Sequence, residues 1–368
     1  MAEAVHDAQR LKELQALPLE RKIQITQTRI IEWYQHYDGN VCVSFSGGKD
    51  STVLLHIARQ LYPDISAVFS NTGLEYFAIQ KFVKTWDKVK TVTPKMRFDE
   101  VMTTYGYPLI GKEASGVIAS SRKIGNSPIF KRNALMGKND TKLFDFKKWL
   151  PLAQNAPFLI SDKCCDKMKK QPMHQYYKET GAKPIIATLA EESLVRRNSW
   201  IANGCNAFEG LYPHSNPISF WTEQDVLAYL VKNRIPIASV YGEIVSVGDD
   251  GNHYPPTDLC GNANSNLKCT GCQRTGCVYC AFGAHRKGKG ENRFLQLAQY
   301  EPRKYEYAIK GGQWSDNPFY DPTAPKMDGD WQNWNPKKIW TPSKKGLGMG
   351  KVFDIVNEIY GKDFIKYD

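Results

Sequence analysis

What the 368-residue chain lacks narrows its possible classes. It contains no apolar run of 18 or more residues, so no membrane-spanning helix is expected. The N-terminal segment MAEAVHDAQRLKELQALPLERK is polar and charged and has no apolar centre of the kind that a secretory signal needs. Internal repeats and low-complexity tracts are also absent. These absences predict a cytoplasmic protein with no membrane partner.

The composition favours anionic partners. Apolar residues make up 42% of the chain, which is enough for a globular fold with a sizeable core. The formal net charge of +11 favours a polyanion such as a nucleotide or a nucleic acid, although a lysine-rich solvated surface explains the same charge. There are nine cysteines, several of them clustered. In a chain without a secretory signal, such clusters favour metal binding or redox chemistry over disulfides.

Strand and helix patterns alternate along much of the chain. Strands are predicted at 41–45, 65–70, 89–92 and 183–188, and helices at 8–37 (broken at Pro18), 52–61, 76–88, 166–180 and 222–233. This alternation predicts an α/β fold, with a parallel twisted sheet and helices on both faces. Thr222 and Asp225 have nearly the spacing and residue types of a capping box.

Four successive regions are predicted. They are N-terminal helices (1–38), a nucleotide-binding α/β domain (39–258), a small Cys-rich metal module (259–295) and a C-terminal extension (296–368) with a helical tail. The α/β domain carries a basic insertion at about 110–160. This insertion is interpreted either as a solvated surface or as a basic lid over an anionic substrate.

The segment Ser46–Ser51, SGGKDS, has the properties of a phosphate-binding loop. It follows a predicted strand and precedes a predicted helix, so glycine N–H groups and the helix N-terminus can hold an anion. Lys49 adds a positive charge, and Ser46 and Ser51 add hydroxyl donors. Asp50 is suited to holding Mg²⁺ or to orienting the loop. The spacing differs from the GxxxxGK[ST] loop of P-loop NTPases.

Four blocks, in order, resemble the PAPS reductase-like family of the PP-loop (adenine nucleotide alpha hydrolase-like) superfamily. They are SGGKDS at 46–51, NTGLEY at 71–76, TLAEESLVRR at 188–197 and NPISFWTEQDV at 216–226. The resemblance spans roughly residues 40–285. It implies an adenine nucleotide, ATP or PAPS, bound by Ser44, Ser46, Gly47, Gly48, Lys49, Asp50, Ser51, Asn71, Thr72, Gly73, Glu75, Glu192, Ser193 and Arg196.

Within that set, the catalytic residues are expected to be Lys49, Asp50 and Arg196. The guanidinium of Arg196 suits a terminal phosphate or sulfate, because it matches two oxygens at once. One position departs from the family pattern. Leu189 stands where the Arg-x-x-Glu-Ser-x-x-Arg segment has its first arginine, so one expected anion contact is missing.

The cysteines form a second chemical signal. Cys269, Cys272, Cys277 and Cys280 lie within twelve residues, and an adjacent pair lies upstream at 164–165. Thiolates select zinc, copper(I) or iron–sulfur clusters. Structural zinc sites usually separate their cysteine pairs by a longer loop, yet four close thiols can still bind zinc.

The same resemblance extends to iron–sulfur adenylyl-sulfate reductases. These carry a Cys-Cys pair before the Glu-Ser block and a Cys-x-x-Cys after the Trp-Thr helix. The resemblance therefore implies a [4Fe–4S] cluster, with zinc as the alternative, and ligands among Cys164, Cys165, Cys272, Cys277 and Cys280. Cys42, in contrast, is expected to be a buried apolar residue.

Three functions follow from these signals. The favoured one is ATP-dependent adenylation and sulfur transfer to tRNA or DNA, with a separate sulfur donor. The alternative is thiol-dependent reduction of adenylyl sulfate or PAPS by a thioredoxin-like reductant. The reductases that this chain resembles use a cysteine on a C-terminal tail, whereas residues 281–368 contain none, leaving Cys205 or a cluster cysteine. The third is a non-catalytic nucleotide-binding subunit of a larger complex.

Overall fold

The structure is a computed structural model that describes residues 6–122, 146–256, 266–286, 293–323 and 334–368. Chain contacts divide it into two compact units. The first unit comprises Met1–Thr93 and Pro172–Thr275, and the second comprises Pro94–Gln171 and Gly276–Asp368. Much of the basic insertion and Cys260 lie outside the described residues. The division into four successive regions stays a prediction.

The described residues form helices and short strands throughout. The α-helices are Ala8–Gln15, Leu19–His36, Lys49–Leu61, Phe77–Val83, Phe98–Tyr105, Lys112–Ser121, Leu150–Asn155, Lys163–Cys165, Gln171–Thr180, Leu194–Asn203, Glu223–Lys232, Arg293–Tyr300, Pro302–Ile309 and Met349–Tyr360. Tighter 3-10 turns are Lys147–Trp149, Ala190–Glu192 and Ser239–Tyr241, and Asp166–Lys170 is a π-helical turn. The strands are β1 Val41–Ser44, β2 Ser66–Ser70, β3 Val89–Val92, β4 Leu109–Ile110, β5 Lys183–Ile186, β6 Asn206–Ala207, β7 His214–Ser215, β8 Ile244–Val247, β9 His253–Tyr254, β10 Leu267–Cys269, β11 Ala281–Phe282, β12 Gln313–Asp316 and β13 Lys338–Thr341.

A six-stranded sheet forms the centre of the first unit. Its strand order is β3-β2-β1-β5-β7-β6. The pairs β2–β3, β1–β2, β1–β5 and β5–β7 are parallel, and only β6 runs antiparallel to its neighbour. Strand β1 is buried at three successive positions because both faces of a parallel sheet are covered. The predicted α/β class is confirmed.

Helices flank this sheet. Cys42 of β1 packs with Val68 and Ala182, and Tyr177 of the helix Gln171–Thr180 packs against this cluster. The helix Lys49–Leu61 contacts β1 and lies against the helices Leu19–His36 and Glu223–Lys232. Cys42 is completely buried, as predicted, and burial raises the pKa of its thiol to about 12.

The predicted capping box at Thr222 is present. The Thr222 hydroxyl accepts the Asp225 N–H, and the Asp225 carboxylate accepts the Thr222 N–H at 2.7 Å. The same carboxylate forms a 2.6 Å ion pair with Lys22, a buried lysine on the helix Leu19–His36. Trp221 is completely buried, and its indole N–H donates to the Thr26 hydroxyl at 2.9 Å. These bonds fix the start of the helix Glu223–Lys232.

The second unit is mainly helical and contains two short strand pairs, β4–β11 and β12–β13. Arg122 is buried within it and donates to four backbone carbonyls, those of Leu152, Ala153, Ala156 and Phe158. Burial lowers the pKa of Arg122 to about 9. Among the described residues of the chain, no helix is long and apolar enough to cross a membrane.

Candidate nucleotide site and cysteine cluster

The sheet of the first unit changes direction at β1. Strand β1 pairs with β2 on one side and with β5 on the other. In open parallel sheets, ligands bind in the crevice beyond the carboxyl ends of the strands at such a switch point. The segments 46–51, 71–76 and 188–197 follow β1, β2 and β5 respectively. Three of the four blocks found in the sequence therefore begin at one edge of one sheet.

The loop after β1 has a fixed shape. Gly47 has a φ of +71°, and a Cβ added there would lie 2.7 Å from the Val83 side chain, so a larger residue does not fit. The hydroxyls of Ser46 and Ser51 are 3.0 Å apart, and the Ser51 hydroxyl donates to the Gly48 carbonyl at 3.0 Å. The two hydroxyls predicted to meet a phosphate thus also hold the loop together.

Lys49 begins the helix that follows the loop, and its side chain is only 5% exposed. Its ammonium donates to the Glu223 carboxylate and to the Gln273 carbonyl, both at 2.8 Å. It also lies 5.4 Å from the centre of the Tyr241 ring. These contacts orient the ammonium at the N-terminus of a helix, where an anion is favoured.

Asp50 is the acidic member of the loop. Burial raises the pKa of its carboxyl, while the positive charges of Lys49, Arg274 and Arg196 act in the opposite direction. Three cationic side chains therefore lie close to one carboxyl group at the loop. No group of three or more His, Cys, Asp or Glu side chains within the described ranges is arranged to hold a metal ion, so Mg²⁺ at Asp50 stays a prediction.

The segment after β5 supplies the arginines. Ser193 caps the helix Leu194–Asn203 by accepting the Arg196 N–H at 3.3 Å. Glu192 forms ion pairs with Arg196 and, at 2.6 Å, with Arg274. Arg274 was not among the residues identified from the sequence. The only signal for it was its position in the sequence CQRTGC, close to two cysteines.

The turn after β2 is closed by its own side chains. Glu75 is buried, and its carboxylate accepts from the Thr72 N–H at 3.1 Å and from the Thr72 hydroxyl at 2.7 Å. Asn71 accepts from the Gly73 N–H at 3.3 Å. Thr72 and Glu75 therefore shape this turn, which lies beside the end of β1. Ser44, the last residue of β1, is partly exposed.

A cleft of about 250 Å³ lies beyond the carboxyl end of β5. Thr188, Arg196, Trp200 and Cys205 are among the residues that line it. Burial raises the pKa of the Cys205 thiol, and the Ser219 hydroxyl points to its sulfur at 3.6 Å. A thiol in this environment is mostly protonated at neutral pH and is a weak nucleophile.

Four of the predicted ligand cysteines lie together in the second unit. Cys164, Cys165, Cys277 and Cys280 are close enough to interact electrostatically. A hydrogen bond from Cys164 lowers the pKa of Cys165 to about 6, and the same interaction raises that of Cys164. Lys112 and Lys169 lower the pKa of Cys165 further. Thiols from two chain segments are the type of donor that an iron–sulfur cluster takes, and the cluster itself stays a prediction.

The remaining cysteines are placed differently. Cys269 and Cys272 belong to the first unit, where both are buried. The Cys272 N–H donates to the Val240 carbonyl at 2.9 Å. Within the described residues no disulfide is formed. No group of three or more cysteines there, in either unit, has the arrangement of a metal site. The structure thus brings four of the five predicted ligands into one unit.

Comparison with known proteins identifies the family. The family model described as "Phosphoadenosine phosphosulfate reductase domain" matches residues 40–107 and 131–281. The chain belongs to this family. The matched residues include all four sequence blocks and all the cysteines discussed above. The resemblance read from the sequence is confirmed.

Similar curated proteins carry reductase names. An adenosine 5'-phosphosulfate reductase of Staphylococcus haemolyticus is 23% identical over 228 residues, which cover 61% of this chain and 72% of the relative. One of Geobacillus sp. is 23% identical, over 56% of this chain and 70% of the relative. A solved phosphoadenylyl-sulfate reductase from Candida auris, in a phosphate complex, aligns with a TM-score of 0.34 at 14% identity, over 63% of this chain and 90% of that one.

Proposed function

We propose that this member of the phosphoadenosine phosphosulfate reductase family is a sulfonucleotide reductase. Its substrate would be adenosine 5'-phosphosulfate or PAPS, bound with its phosphate on the loop Ser46–Ser51. The observation that carries the proposal is the convergence of Lys49, Arg196 and Arg274 near Asp50 at the end of β1. The reductase names of the similar curated proteins support the choice of substrate class.

The chemistry assigned to this site needs a thiolate and a stabilised leaving group. A thiolate attacks the sulfate sulfur, the bond between that sulfur and the phosphate oxygen breaks, and AMP or its 3'-phosphorylated form leaves. The attacking cysteine now carries the sulfonate group. A second thiol then attacks the sulfur of this cysteine, which releases sulfite and leaves a disulfide. Lys49 and the helix N-terminus would stabilise the negative charge that develops on the departing phosphate.

The source of the attacking thiolate is part of the proposal. Residues 281–368 contain no cysteine. The cleft beside Arg196 is lined by Cys205, whose protonated thiol would first need a base. A separate dithiol protein of the thioredoxin type would supply both the attacking and the resolving thiol. We therefore include such a reductant as a partner.

We further propose that Cys164, Cys165, Cys277 and Cys280 hold a [4Fe–4S] cluster. Their shared location in the second unit supports this assignment. Such a cluster would supply a fixed local charge and a redox centre. The chain's own contribution is Lys112 and Lys169, which lower the pKa of Cys165 and so favour the thiolate that a metal requires.

The deciding experiment compares two substrates in one preparation. Protein purified without oxygen is incubated with adenosine 5'-phosphosulfate or PAPS and a thioredoxin or dithiothreitol, and sulfite and AMP are quantified. Equal amounts of sulfite and nucleotide product are expected. Lys49→Ala serves as the blank, because a contaminating reductase would be present in both preparations. Absence of sulfite from the wild-type protein, with nucleotide still bound, would contradict the reductase proposal.

A second candidate is ATP-dependent adenylation with sulfur transfer to a tRNA or DNA. It is favoured by the lack of cysteine in residues 281–368 and by the net charge of +11. Here ATP would be cleaved between its α- and β-phosphates, and sulfur would replace the activated oxygen of the acceptor. Pyrophosphate and AMP released from ATP only in the presence of nucleic acid would identify this reaction. Binding without turnover of either nucleotide would indicate a non-catalytic subunit.

A further inference from the structure

Residues 270–275, which follow β10, form a turn that is fixed to the rest of the first unit. The Gly271 N–H donates to the Tyr241 carbonyl at 2.8 Å. A Cβ added at Gly271 would lie 2.5 Å from the Val240 carbonyl oxygen, so only glycine allows this approach. The Gln273 side chain donates to the carbonyls of Cys269 and Gly271, at 2.6 and 3.1 Å. The path of the backbone is therefore well determined.

The same turn contacts the phosphate loop on both sides of Arg274. The Gln273 carbonyl accepts from Lys49 at 2.8 Å. The Thr275 hydroxyl lies 2.5 Å from the Tyr241 hydroxyl, and Tyr241 also faces Lys49. Arg274 is thus held between two anchored residues. Its own side chain remains 61% exposed and has only Glu192 as an ion-pair partner among the described residues.

Arg274 supplies a positive charge close to Arg196 in a chain that lacks the first arginine of the family's segment. Leu189 occupies that position and is only 2% exposed, so it cannot contact a ligand. Glu192 forms ion pairs with both Arg196 and Arg274, so the two guanidinium groups lie close together. The charge of Arg274 also lowers the pKa of Asp50 and of Arg196. It reaches this place from a segment 85 residues further along the chain than Leu189.

We infer that Arg274 is a specificity-determining residue that binds the second anionic group of the nucleotide. This group is the sulfate of a phosphosulfate or the β-phosphate of ADP or ATP. Together with Arg196, the Arg274 guanidinium would hold this tetrahedral oxyanion by paired N–H···O bonds, while Lys49 and the loop hold the α-phosphate. Glu192 orients both arginines before the nucleotide arrives. The inference rests on the proposed nucleotide site but not on the reaction that follows.

The test measures equilibrium binding, which does not depend on turnover. Wild-type protein and Arg274→Ala are titrated by calorimetry with AMP, adenosine 5'-phosphosulfate, ADP and ATP. Loss of one bidentate contact is expected to weaken the last three ligands about tenfold. Affinity for AMP, which lacks the second group, is expected to change less than about twofold. Arg274→Lys keeps the charge but not the paired donors, so it is expected to lose an intermediate amount.

Two controls make the result specific. Arg10→Ala removes another exposed arginine that is ion-paired to a glutamate, and all four affinities should stay unchanged. Unfolding temperatures should agree among the variants, since Arg274 is exposed. Equal loss for AMP and the other nucleotides, or no loss at all, would overturn the role of Arg274 alone. A wild-type protein that binds none of the four would overturn both this role and the proposed function.

Discussion

The phosphate loop and the cysteine cluster are organised by different physical interactions. Around the loop, opposite charges and hydrogen-bond donors are matched: Lys49 has the carboxylate of Glu223, and Glu192 has two arginines. Around the cysteines, similar groups face one another. The thiol of Cys164 lies near three others, and their mutual interaction spreads the pKa values of Cys164 and Cys165 apart.

The difference bears on how each region would accept the group proposed for it. The loop has its shape from contacts within the chain, so a nucleotide would enter a site that already exists. Neighbouring thiols offer each other only weak hydrogen bonds, and the proposed cluster would give them a stronger partner. The two regions should therefore respond independently to substitution.

The largest expected effect comes from Cys277→Ser. Wild-type protein purified without oxygen is expected to absorb at roughly 400 nm, as iron–sulfur thiolate clusters do. The variant should lose this absorbance and the iron completely, while its nucleotide affinity stays unchanged. Cys272→Ser is the matched control from the first unit and should keep the colour. Wild-type protein that is colourless and holds one zinc ion would refute the cluster. A colourless Cys272→Ser would show that Cys272 replaces one of the four assigned ligands.

The next effect concerns the loop. Lys49→Ala removes a buried ammonium and leaves Glu223 to repel the incoming anion, so nucleotide affinity is expected to fall about 100-fold, or about 2.7 kcal/mol. Calorimetry gives this number, and the absorbance of the cluster should be unaffected. Lys81→Ala, at an exposed lysine on the helix Phe77–Val83, should bind as the wild type does. Unchanged nucleotide affinity of Lys49→Ala would contradict the assignment of the loop Ser46–Ser51 as the phosphate-binding site.

The sequence predicted the main architecture because its signals are local. Strand β3 was found with its observed bounds, and Thr222 and Asp225 form the capping box that their spacing indicated. The helix after β2 ends at Val83, five residues earlier than predicted. Three short helices between residues 97 and 160 were missed, because each has no more than ten residues.

The surroundings of the site were less accessible to sequence reasoning. Lys49 and Ser46 were identifiable because loop, strand and helix are adjacent in the sequence. Glu223, Gln273 and Arg274 were not assigned to the site, because each reaches it only through the fold. Long-range contacts of this kind leave no periodicity or motif. The same reason explains why the sequence could not divide its five ligand candidates between two units.

The smallest expected effect is a pH dependence of stability that arises from a histidine of the second unit. His285 of the second unit packs against Trp149 and Phe364, and burial, followed by the charges of Arg286 and Lys148, lowers its pKa. The folded state therefore binds this proton less readily than the unfolded state does. Its contribution to stability is complete above about pH 6.5 and is lost as the pH falls below that value.

The measurement compares thermal unfolding of the wild type and His285→Phe at pH 7.5 and 5.5. Phenylalanine preserves the ring packing but cannot bind a proton. The variant's unfolding temperature is expected to fall less than that of the wild type, by roughly 1–3 °C. Burial also lowers the pKa values of His6 and His56. Both residues are present in the wild type and in the variant, so they contribute equally to the decrease in unfolding temperature of each protein. Equal decreases would show that protonation of His285 does not change the stability of the fold. The ring would then be less buried than the structure indicates.

The wide separation of Lys49 from its partners has a consequence for synthesis on the ribosome. The helix Lys49–Leu61 emerges early, but β1 lacks its neighbour β5 until residue 186 has been made. The partners Glu223 and Gln273 follow Lys49 by 174 and 224 residues. A nascent chain thus exposes a cationic loop long before the residues that hold its lysine exist. Translation that stops before residue 273 yields a chain with the motif but without the site.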